Sequence, residues 1–394
     1  MKPIRTRMHA RDITETHRVS SPLELLFDLT FVVAVSSLVA QLAHKVAEGD
    51  AASTIGPFLM VFFAIWWAWN QFTWLASAYD TDDALYRVFT MVQMGGVLVL
   101  AAGVPAAFTS GDFGAITLGY LIMRLGLLAT LIRAMIEDPE SRPSSQRYVI
   151  GIAVVQVGWL LRLFFVPPEF LVPGFIVLAV AELLVSPWAD RAQPLAWHPH
   201  HIAERYGLFV IILLGESVLA VTIAVQESLA EGLSVPLVVV AVSGLVLLFT
   251  LWWLYFSEPA AEGLVKRRDY SYIWGYGHYL IYASLAAIGA GLEIGVKVVT
   301  HHAEVGEVVG GYALAIPLAV FLLLLWLLHA PMVDRVTIPP MATVIAVVAI
   351  LVAPLTSAGI GILGSIVLMT AIAVALLVTA LVVAHRPRSS RLQP

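Results

Sequence analysis

Two acidic side chains lie four positions apart in an otherwise apolar segment near the start of the chain. Glu24 and Asp28 both occupy SPLELLFDLTFVVAV, and their spacing places them on one face of a helix. A charged side chain near the bilayer centre costs at least ~2.5–3.5 kcal/mol, so it needs a partner, a cavity or a neutral state. Helix capping beside Pro22 is an alternative explanation for Glu24, but it explains Asp28 poorly. These residue types in this setting favour the binding of a cation or a proton.

Other ionisable residues interrupt later apolar segments. Glu216, in LLGES, is the deepest acid, about 15–20 Å from the start of its predicted helix. Arg124 lies at similar depth, and we expect it to pair with Glu216 or with Glu182, either as a static link between helices or within an ion or solute pathway. His278 lies among tyrosines, where it either carries protons or is a buried, hydrogen-bonded imidazole. Arg162, near the end of its segment, is expected to extend its guanidinium toward the membrane surface.

Two polar clusters adjoin these segments. In HPHHIAE, the side chains of His198, His200, His201 and Glu204 have the types that bind a divalent metal, which makes them weak metal candidates. Glu204 is also a candidate pathway residue. The second cluster is acidic and is predicted to form a cytoplasmic gate or latch. Its members are Asp80, Asp82, Asp83 and Arg87.

The composition of the chain indicates which type of secondary structure carries these residues. The chain has 394 residues, of which 60% are hydrophobic and 12% are charged, whereas soluble domains carry about 25% charged residues. The apolar residues occur in blocks of roughly 18–25, the length of a helix that crosses the bilayer. The sequence therefore predicts an all-α polytopic integral membrane protein, with the lipid bilayer as its first partner.

Several classes of function are disfavoured. The absence of cysteine excludes thiolate metal sites, iron–sulfur ligation and cysteine nucleophiles. A net charge of −5 without a basic tract gives no basis for nucleic-acid binding. The first twenty residues are polar and basic, which argues against a cleavable signal peptide. No P-loop, H-E-x-x-H or G-x-S-x-G motif is present, so we expect no cofactor, and an enzyme is the less favoured class.

Charge distribution orients about twelve predicted spans. The spans are 22–44, 57–78, 86–108, 115–135, 148–166, 169–188, 203–225, 233–256, 271–296, 310–329, 339–356 and 359–384. With both termini on one side, that side receives 18 of the 22 Lys and Arg residues and the other side three, with Arg124 inside a span. This bias predicts cytoplasmic termini and a multi-pass protein of the cell (inner) membrane.

An internal repeat is also predicted. Glu24 aligns with Glu204 at an offset of 180, and Trp66–Trp67 aligns with Trp252–Trp253 at an offset of 186. Six spans per unit would give two parallel repeats. The predicted divisions are an N-terminal tail (1–20), the first six-helix repeat (21–190), the second (191–385) and a C-terminal tail (386–394).

The motifs resemble the bacterial low temperature requirement protein A family. The resemblance covers roughly residues 18–330 and rests on LELLFDLTFVVAV with His44, WWAW followed by YDTDD, HIAERYGLFVIILLGESVLAV and YGHY…GLE. Leu26 and Thr30 depart from the usual pattern without removing a charge. The resemblance implies an integral membrane protein with a role in growth in the cold. The positions that match the family's polar residues are Glu24, Asp28, His44, Asp80, Asp82, Asp83, Arg87, Glu204, Arg205, Glu216 and His278.

Three functions remain open at this stage. The leading hypothesis is a transporter or channel for an ion or small solute, with or without proton coupling. Asp28 and Glu216 would be the acids that carry the cation or proton, and Arg124 would be a counter-charge. A lipid-modifying membrane enzyme with an interfacial metal site is the second hypothesis, and a non-catalytic scaffold or sensor is the third. A transporter needs acids beside a wet cavity, an enzyme needs acids and histidines within ~5 Å of each other, and a scaffold needs every buried charge to be paired.

Overall fold

A computed structural model describes residues 5–13, 15, 18–229, 232, 234–333 and 337–385, with the backbone alone for 227 and 228. The predicted C-terminal tail, 386–394, lies outside the described residues, as does part of the N-terminal tail.

The described chain has only helices as its regular secondary structure. They are α1 (Pro22–Ala47), α2 (Ala51–Ala78), α3 (Ala84–Thr109), α4 (Gly114–Glu137), α5 (Arg142–Phe165), α6 (Leu171–Asp190), α7 (Pro199–Leu229), α8 (Val235–Phe256), α9 (Ala260–Lys266), α10 (Ser271–Val299), α11 (Glu307–His329), α12 (Pro340–Val352) and α13 (Ser357–Ala384). Three of them begin on a proline, whose fixed φ suits the first helical turn. In the described part of the chain, eleven helical segments are long and apolar enough to cross a membrane, which confirms the predicted all-α membrane class.

The last of these segments, Pro340–Ala384, contains 45 residues. At 1.5 Å per residue it would extend to about 67 Å, more than twice the thickness of the hydrocarbon core. A 3₁₀ turn at Ala353–Thr356 and a left-handed Gly361 (φ 70°) interrupt it. Helices α12 and α13 pack against α11 and against each other, and they correspond to the last two predicted spans.

The chain divides into two compact units. Unit 1 comprises Met1–Gln41 and Ala52–Ile212, and unit 2 comprises Leu42–Ala51 and Leu213–Pro394, as far as these ranges are described. The division therefore falls within α1 and again within α7, whereas the predicted repeats meet at 190/191.

The tryptophan pairs used to align the repeats have different environments. Trp66 and Trp67 are 1% and 0% exposed, whereas Trp252 and Trp253 are 45% and 49% exposed. The internal repeat stays a prediction.

Glycines set the closest helix approaches in each unit. In unit 1, a Cβ atom on Gly96 would lie 2.6 Å from the carbonyl oxygen of Gly119, so α3 and α4 touch backbone to backbone. In unit 2, a Cβ on Gly291 of α10 would lie 2.5 Å from the carbonyl oxygen of Ala313 of α11. Small residues allow this approach in membrane helix pairs, where dispersion between backbones replaces the hydrophobic effect.

Candidate functional site

A buried charged cluster forms in unit 1, where α1, α2 and α7 meet. The start of α1 explains how its first acid is held. Ser21 precedes Pro22, and the backbone N–H of Ser21 donates to Glu24 Oε2 at 2.7 Å, while the Glu24 N–H donates to Ser21 Oγ at 3.3 Å. This reciprocal capping box satisfies two N–H groups at the helix start. The capping explanation for Glu24 therefore accounts for one carboxylate oxygen and leaves Oε1 for other partners.

Glu24 and Asp28 share one arginine, Arg205 of α7. Arg205 Nη1 lies 3.1 Å from Glu24 Oε1, and Arg205 Nη2 lies 2.5 Å from Asp28 Oδ1. His201, one turn earlier on α7, places Nε2 3.0 Å from Glu24 Oε1. Trp69 of α2 donates its indole N–H to Asp28 Oδ1 at 2.7 Å. All five side chains are buried. Together they form the α1–α7 cluster.

The charges of the α1–α7 cluster do not sum to zero. Two carboxylates face one guanidinium, so a neutral His201 leaves these five side chains with a net charge of −1, and one added proton removes it. Arg18 and Asp80, which also act electrostatically on Glu24, have opposite charges and leave this sum unchanged. Burial makes an uncompensated charge costly, because the surrounding medium screens it poorly. The arrangement can therefore take up and release a proton, with the imidazole and the two carboxylates as possible carriers.

Aromatic packing separates the cluster from water. The Phe27 and Phe72 rings lie 3.8 Å apart between centroids, and the Trp69 and Phe209 rings lie 4.4 Å apart. Tyr206, adjacent to Arg205, accepts a hydrogen bond of 2.6 Å from the amide of Asn70. The local environment is therefore apolar, and Asp28 Oδ2, His201 Nδ1 and Arg205 Nε have no hydrogen-bond partner in it.

A second buried ion pair lies in the same unit. Arg124 Nη2 of α4 lies 3.2 Å from Glu182 Oε2 of α6, which is one of the two partners expected from the sequence. Glu182 also accepts hydrogen bonds from Tyr120 (2.9 Å), Trp67 (2.9 Å) and Trp159 (3.2 Å). Arg124 additionally donates to the Tyr120 hydroxyl. Four donors around one carboxylate match the requirement for a stable buried pair.

Polar residues of unit 2 form a different kind of cluster. His278 of α10 donates from Nδ1 to the Trp274 carbonyl (2.7 Å), and its Nε2 lies 3.0 Å from the Tyr255 hydroxyl. His329 of α11 donates from Nδ1 to the Leu325 carbonyl (3.0 Å). Its Nε2 accepts from the Trp274 indole N–H (3.3 Å). Since an indole nitrogen only donates, the His329 ring is neutral.

Two other predicted site residues lie apart from these clusters. Glu216 is buried on the part of α7 that belongs to unit 2. Glu204 is half-buried, and its Oε1 accepts from the backbone N–H of Ser20 at 3.1 Å. Glu204 therefore holds the segment that precedes α1.

Two of the predicted gate residues, Asp80 and Asp83, hold the N-terminal tail to the α2–α3 connection. Asp80 Oδ2 pairs with Arg11 of the tail at 3.1 Å. Asp82 pairs with Arg87 at 2.7 Å in an exposed position. Its left-handed backbone (φ 46°) makes the turn that precedes α3, which an aspartate tolerates better than most residues.

Asp83 is the most constrained of the four. It is the N-cap of α3, accepting from Tyr86 N–H at 2.9 Å, and it also accepts from Thr6 N–H at 2.7 Å. Both of its oxygens pair with Arg133 of α4, at 2.8 Å and 2.5 Å. Burial acts to raise the pKa of Asp83, but the hydrogen bonds from Arg133, Tyr86 and Thr6 outweigh it and lower the pKa to about 2. Arg133 also pairs with Glu137, which accepts from the Met8 N–H at 2.7 Å.

The histidines of HPHHIAE do not converge. His198 Nε2 lies 2.8 Å from the Glu15 carbonyl, and its Nδ1 accepts from the His201 N–H at 3.3 Å. Burial is the main cause that lowers the pKa of His198. His200 is exposed, whereas His201 belongs to the α1–α7 cluster. Within the described part of the chain, no three His, Asp or Glu side chains form a group that could hold a metal ion.

Sequence reasoning recognised the acids but missed most of their partners. Arg205 was noted only as a matching position, and Trp69 was not singled out. One signal was available, because His201 and Arg205 have the same four-residue spacing on α7 as Glu24 and Asp28 have on α1. Two helices that each present one face with complementary charge are candidates to pair.

Comparisons with known proteins relate the chain to one family and to one relative. The model of the family described as "Bacterial low temperature requirement A protein (LtrA)" matches residues 19–383. An uncharacterized protein of Rhizobium meliloti (strain 1021) is 28% identical over 297 residues, which cover 71% of this chain and 70% of the relative. No solved structure matches the chain. The family match contains the α1–α7 cluster and extends over nearly the whole protein, and the chain therefore belongs to the LtrA family.

Proposed function

We propose that this LtrA-family membrane protein transports an ion or a small solute, and that the α1–α7 cluster is its proton-binding site. The observation that carries the proposal is that Glu24 and Asp28 share the single guanidinium of Arg205. His201, on Glu24, supplies a group that titrates near neutral pH in water. A buried site that lacks one positive charge is a natural place for a proton or a monovalent cation to bind.

Proton exchange would change how the helices are held together. With the proton bound, the cluster is neutral and α1 is tied to α7 through Arg205. Without it, the excess negative charge favours any state that admits water or a cation. A coupled transporter requires two such states, each stabilised by a different occupancy of the site. Glu216 and His278 remain predicted pathway residues on this proposal.

The scaffold or sensor hypothesis is the second candidate. It is favoured by the Arg124–Glu182 pair, whose carboxylate has four donors, and by the neutral His329. These groups are satisfied without any exchangeable ligand. The enzyme hypothesis has no comparable support, because the described histidines and acids form no metal-binding group.

Proton flux in proteoliposomes tests the proposal. A pH-sensitive dye enclosed in the vesicles would compare the unaltered protein with Asp28→Asn, which keeps the side-chain shape and removes the charge. We expect Asp28→Asn to abolish the flux, and Asp269→Asn, an exposed acid paired with Arg267, to leave it unchanged. Flux that survives Asp28→Asn in folded protein contradicts the assignment of the site. Absence of flux under every ion gradient contradicts transport and favours the scaffold.

A further inference from the structure

Tyr86 of α3 buries a hydroxyl group that the packing of the helices does not use. The residue is 1% exposed, and among the described residues its hydroxyl has no hydrogen-bond partner. A buried hydroxyl without a partner costs free energy, and a phenylalanine would fill nearly the same space without that cost. Packing alone therefore does not explain a tyrosine at this position, and its hydroxyl can serve a water molecule or a proton.

The Tyr86 hydroxyl lies within electrostatic range of two acids. One is Glu24 of the α1–α7 cluster, and the other is Asp80 of the α2–α3 connection. These two acids also act on each other. The cations that act on the same side chain are Arg205 and Arg18. Tyr86 is therefore an uncharged polar group shared by the buried cluster and by the connection beside it.

Asp80 joins this buried region to water. Its side chain is 15% exposed, whereas the side chain of Glu24 is 2% exposed. The other charged and titratable groups that act on its carboxylate are Arg11, Arg18 and His201. Burial, to which the charge of Glu24 adds, outweighs these three groups and raises the pKa of Asp80 above its ordinary value. A carboxyl group with a raised pKa is better suited to exchange protons near neutral pH.

The two arginines beside Asp80 fix its surroundings without carrying a proton. Arg18 is 6% exposed and donates to the carbonyls of Ser77 and Ala76, at 2.5 Å each, at the end of α2. Arg11 lies 3.1 Å from Asp80 Oδ2. A guanidinium stays protonated at every pH that a cell reaches, so neither arginine can pass a proton on. The carboxylates, the imidazole and the tyrosine hydroxyl are the groups that can.

We propose that Asp80 and the Tyr86 hydroxyl form the route by which a proton passes from water to the α1–α7 cluster, with bridging water completing the chain. Asp80 takes a proton from water and releases it toward Tyr86. The Tyr86 hydroxyl gives its own proton toward the cluster and receives the one from the Asp80 side, so both groups end unchanged. The cluster gains one proton, on a carboxylate or on the imidazole. This inference rests on the proposed function and adds the route to its site.

A pH jump on the full chain in a neutral detergent separates the route from the site. A stopped-flow instrument mixes the protein at pH 8 with a weakly buffered solution at pH 6, and a pH-sensitive dye records the protons that are bound. The part of the uptake that Asp28→Asn lacks is the uptake by the α1–α7 cluster. Its amplitude reports the proposed site, and its rate reports the proposed route.

Tyr86→Phe and Asp80→Asn are each expected to slow the uptake by the cluster at least about tenfold and to leave its amplitude unchanged. Formate, a small weak acid, should restore the rate in Asp80→Asn because it carries the proton in place of the carboxylate. Tyr86→Phe removes a hydroxyl that bonds no described residue, so it should fold even where Asp80→Asn does not. Tyr148→Phe is its control and should keep the rate, because Tyr148 is also buried but bonds Asp190 at 3.0 Å, outside the cluster.

Arg11→Gln separates proton transfer from docking of the N-terminal tail. It breaks the same ion pair as Asp80→Asn but keeps the carboxylate, so we expect uptake at least as fast as in the unaltered protein. Equal slowing in Arg11→Gln and Asp80→Asn would assign the effect to the tail and overturn the proposal.

Two further results would count against the route, and they differ in what they leave standing. An unchanged rate in Tyr86→Phe or in Asp80→Asn, with full amplitude, overturns the route and leaves the proposed site intact. An unaltered protein that takes up no more protons than Asp28→Asn overturns the proposed proton site, and the route with it.

Discussion

The α1–α7 cluster of unit 1 and the imidazole cluster of unit 2 show two ways of burying polar groups in a membrane protein. In unit 1, Glu24, Asp28 and Arg205 are charged groups that pair across helices and leave one negative charge unbalanced. In unit 2, His278 and His329 bond to backbone carbonyls within their own helices and to Tyr255 and Trp274 beside them. The first arrangement can bind a proton, whereas the His329 environment is complete without one. Burial of an ionisable residue therefore does not by itself indicate a functional site; the sum of the local charges is the more informative property.

Removal of the shared arginine is the strongest test of this comparison. Arg205→Gln leaves two buried carboxylates without their cation, and we expect a loss of about 3–5 kcal/mol in the free energy of unfolding. Equilibrium unfolding in mixed detergent micelles measures it. The double variant Arg205→Gln/Asp28→Asn should recover part of the loss, because one unpaired charge disappears. Arg267→Gln, from an exposed pair with Asp269 at 3.1 Å, should leave the free energy of unfolding nearly unchanged, because water screens that pair. Equal losses in the two arginine variants would refute the cluster as a buried ionic site.

A variant of the Arg124–Glu182 pair tests whether this pair is structural or belongs to the pathway. Glu182→Gln replaces one acceptor oxygen by an NH₂ group, which faces the hydrogen-bond donors around it. We expect the free energy of unfolding to fall by about 3 kcal/mol. The proton flux per folded molecule should stay unchanged. Unfolding and flux assays on the same preparation measure both quantities. Glu169→Gln, an exposed acid before α6, is the control for stability. Loss of flux in Glu182→Gln would move this pair into the pathway.

Removal of His329 should destabilise the protein less at acidic pH than at alkaline pH. His329→Phe removes the acceptor of the Trp274 indole and costs about 1–2 kcal/mol in unfolding free energy at pH 8. Because the neutral, buried His329 takes up a proton only on unfolding, it stabilises the folded protein less at pH 6, and we expect a smaller loss there. His385→Phe is a close control, since His385 makes the same type of bond to a backbone carbonyl (Leu381, 2.8 Å) but is exposed. Equal losses at the two pH values would mean that His329 is also protonated in the folded protein and would weaken the contrast between the units.

The smallest expected effect concerns the N-terminal tail. The pKa of Asp83 is lowered to about 2 from an ordinary 3.8, so its charge stabilises the docked tail above pH about 4, and this contribution is lost as the pH falls toward 2. Asp83→Asn should cost about 1 kcal/mol of docking at neutral pH. The chain has no cysteine, so a nitroxide on His9→Cys, an exposed tail position, reports tail mobility by EPR.

The control for this last prediction is the same label on the protein with Asp83 intact. That protein should show an acid transition between pH 4 and pH 2, whereas Asp83→Asn should be mobile at neutral pH and show a weaker transition. Glu137, on the same arginine, accounts for the remaining acid dependence. Identical pH profiles in the two proteins would exclude Asp83 as an anchor of the tail.

The features that follow from one segment at a time were predictable. Helix lengths follow from the lengths of the apolar blocks, because in the bilayer each backbone N–H and C=O group must form its hydrogen bond within its own segment. The capping role of Glu24 followed from the Ser21-Pro22 start of α1. The pairing of Arg124 was narrowed to two acids by depth, and Glu182 is the partner. The outward extension expected of Arg162 stays a prediction, and hydropathy alone does not reveal that aromatic rings from other helices surround its guanidinium.

The class of the protein, its apolar helices and the family motifs are predictable from the sequence, since they depend on local composition and on residue spacing along the chain. Which charges are shared and which are balanced depends on how the helices pack. The two carboxylates on one arginine and the neutral His329 are relations between helices distant in sequence. The energetic cost of these buried groups depends on the distance between the partners and on their burial, because electrostatic energy in a poorly screening interior changes steeply with both.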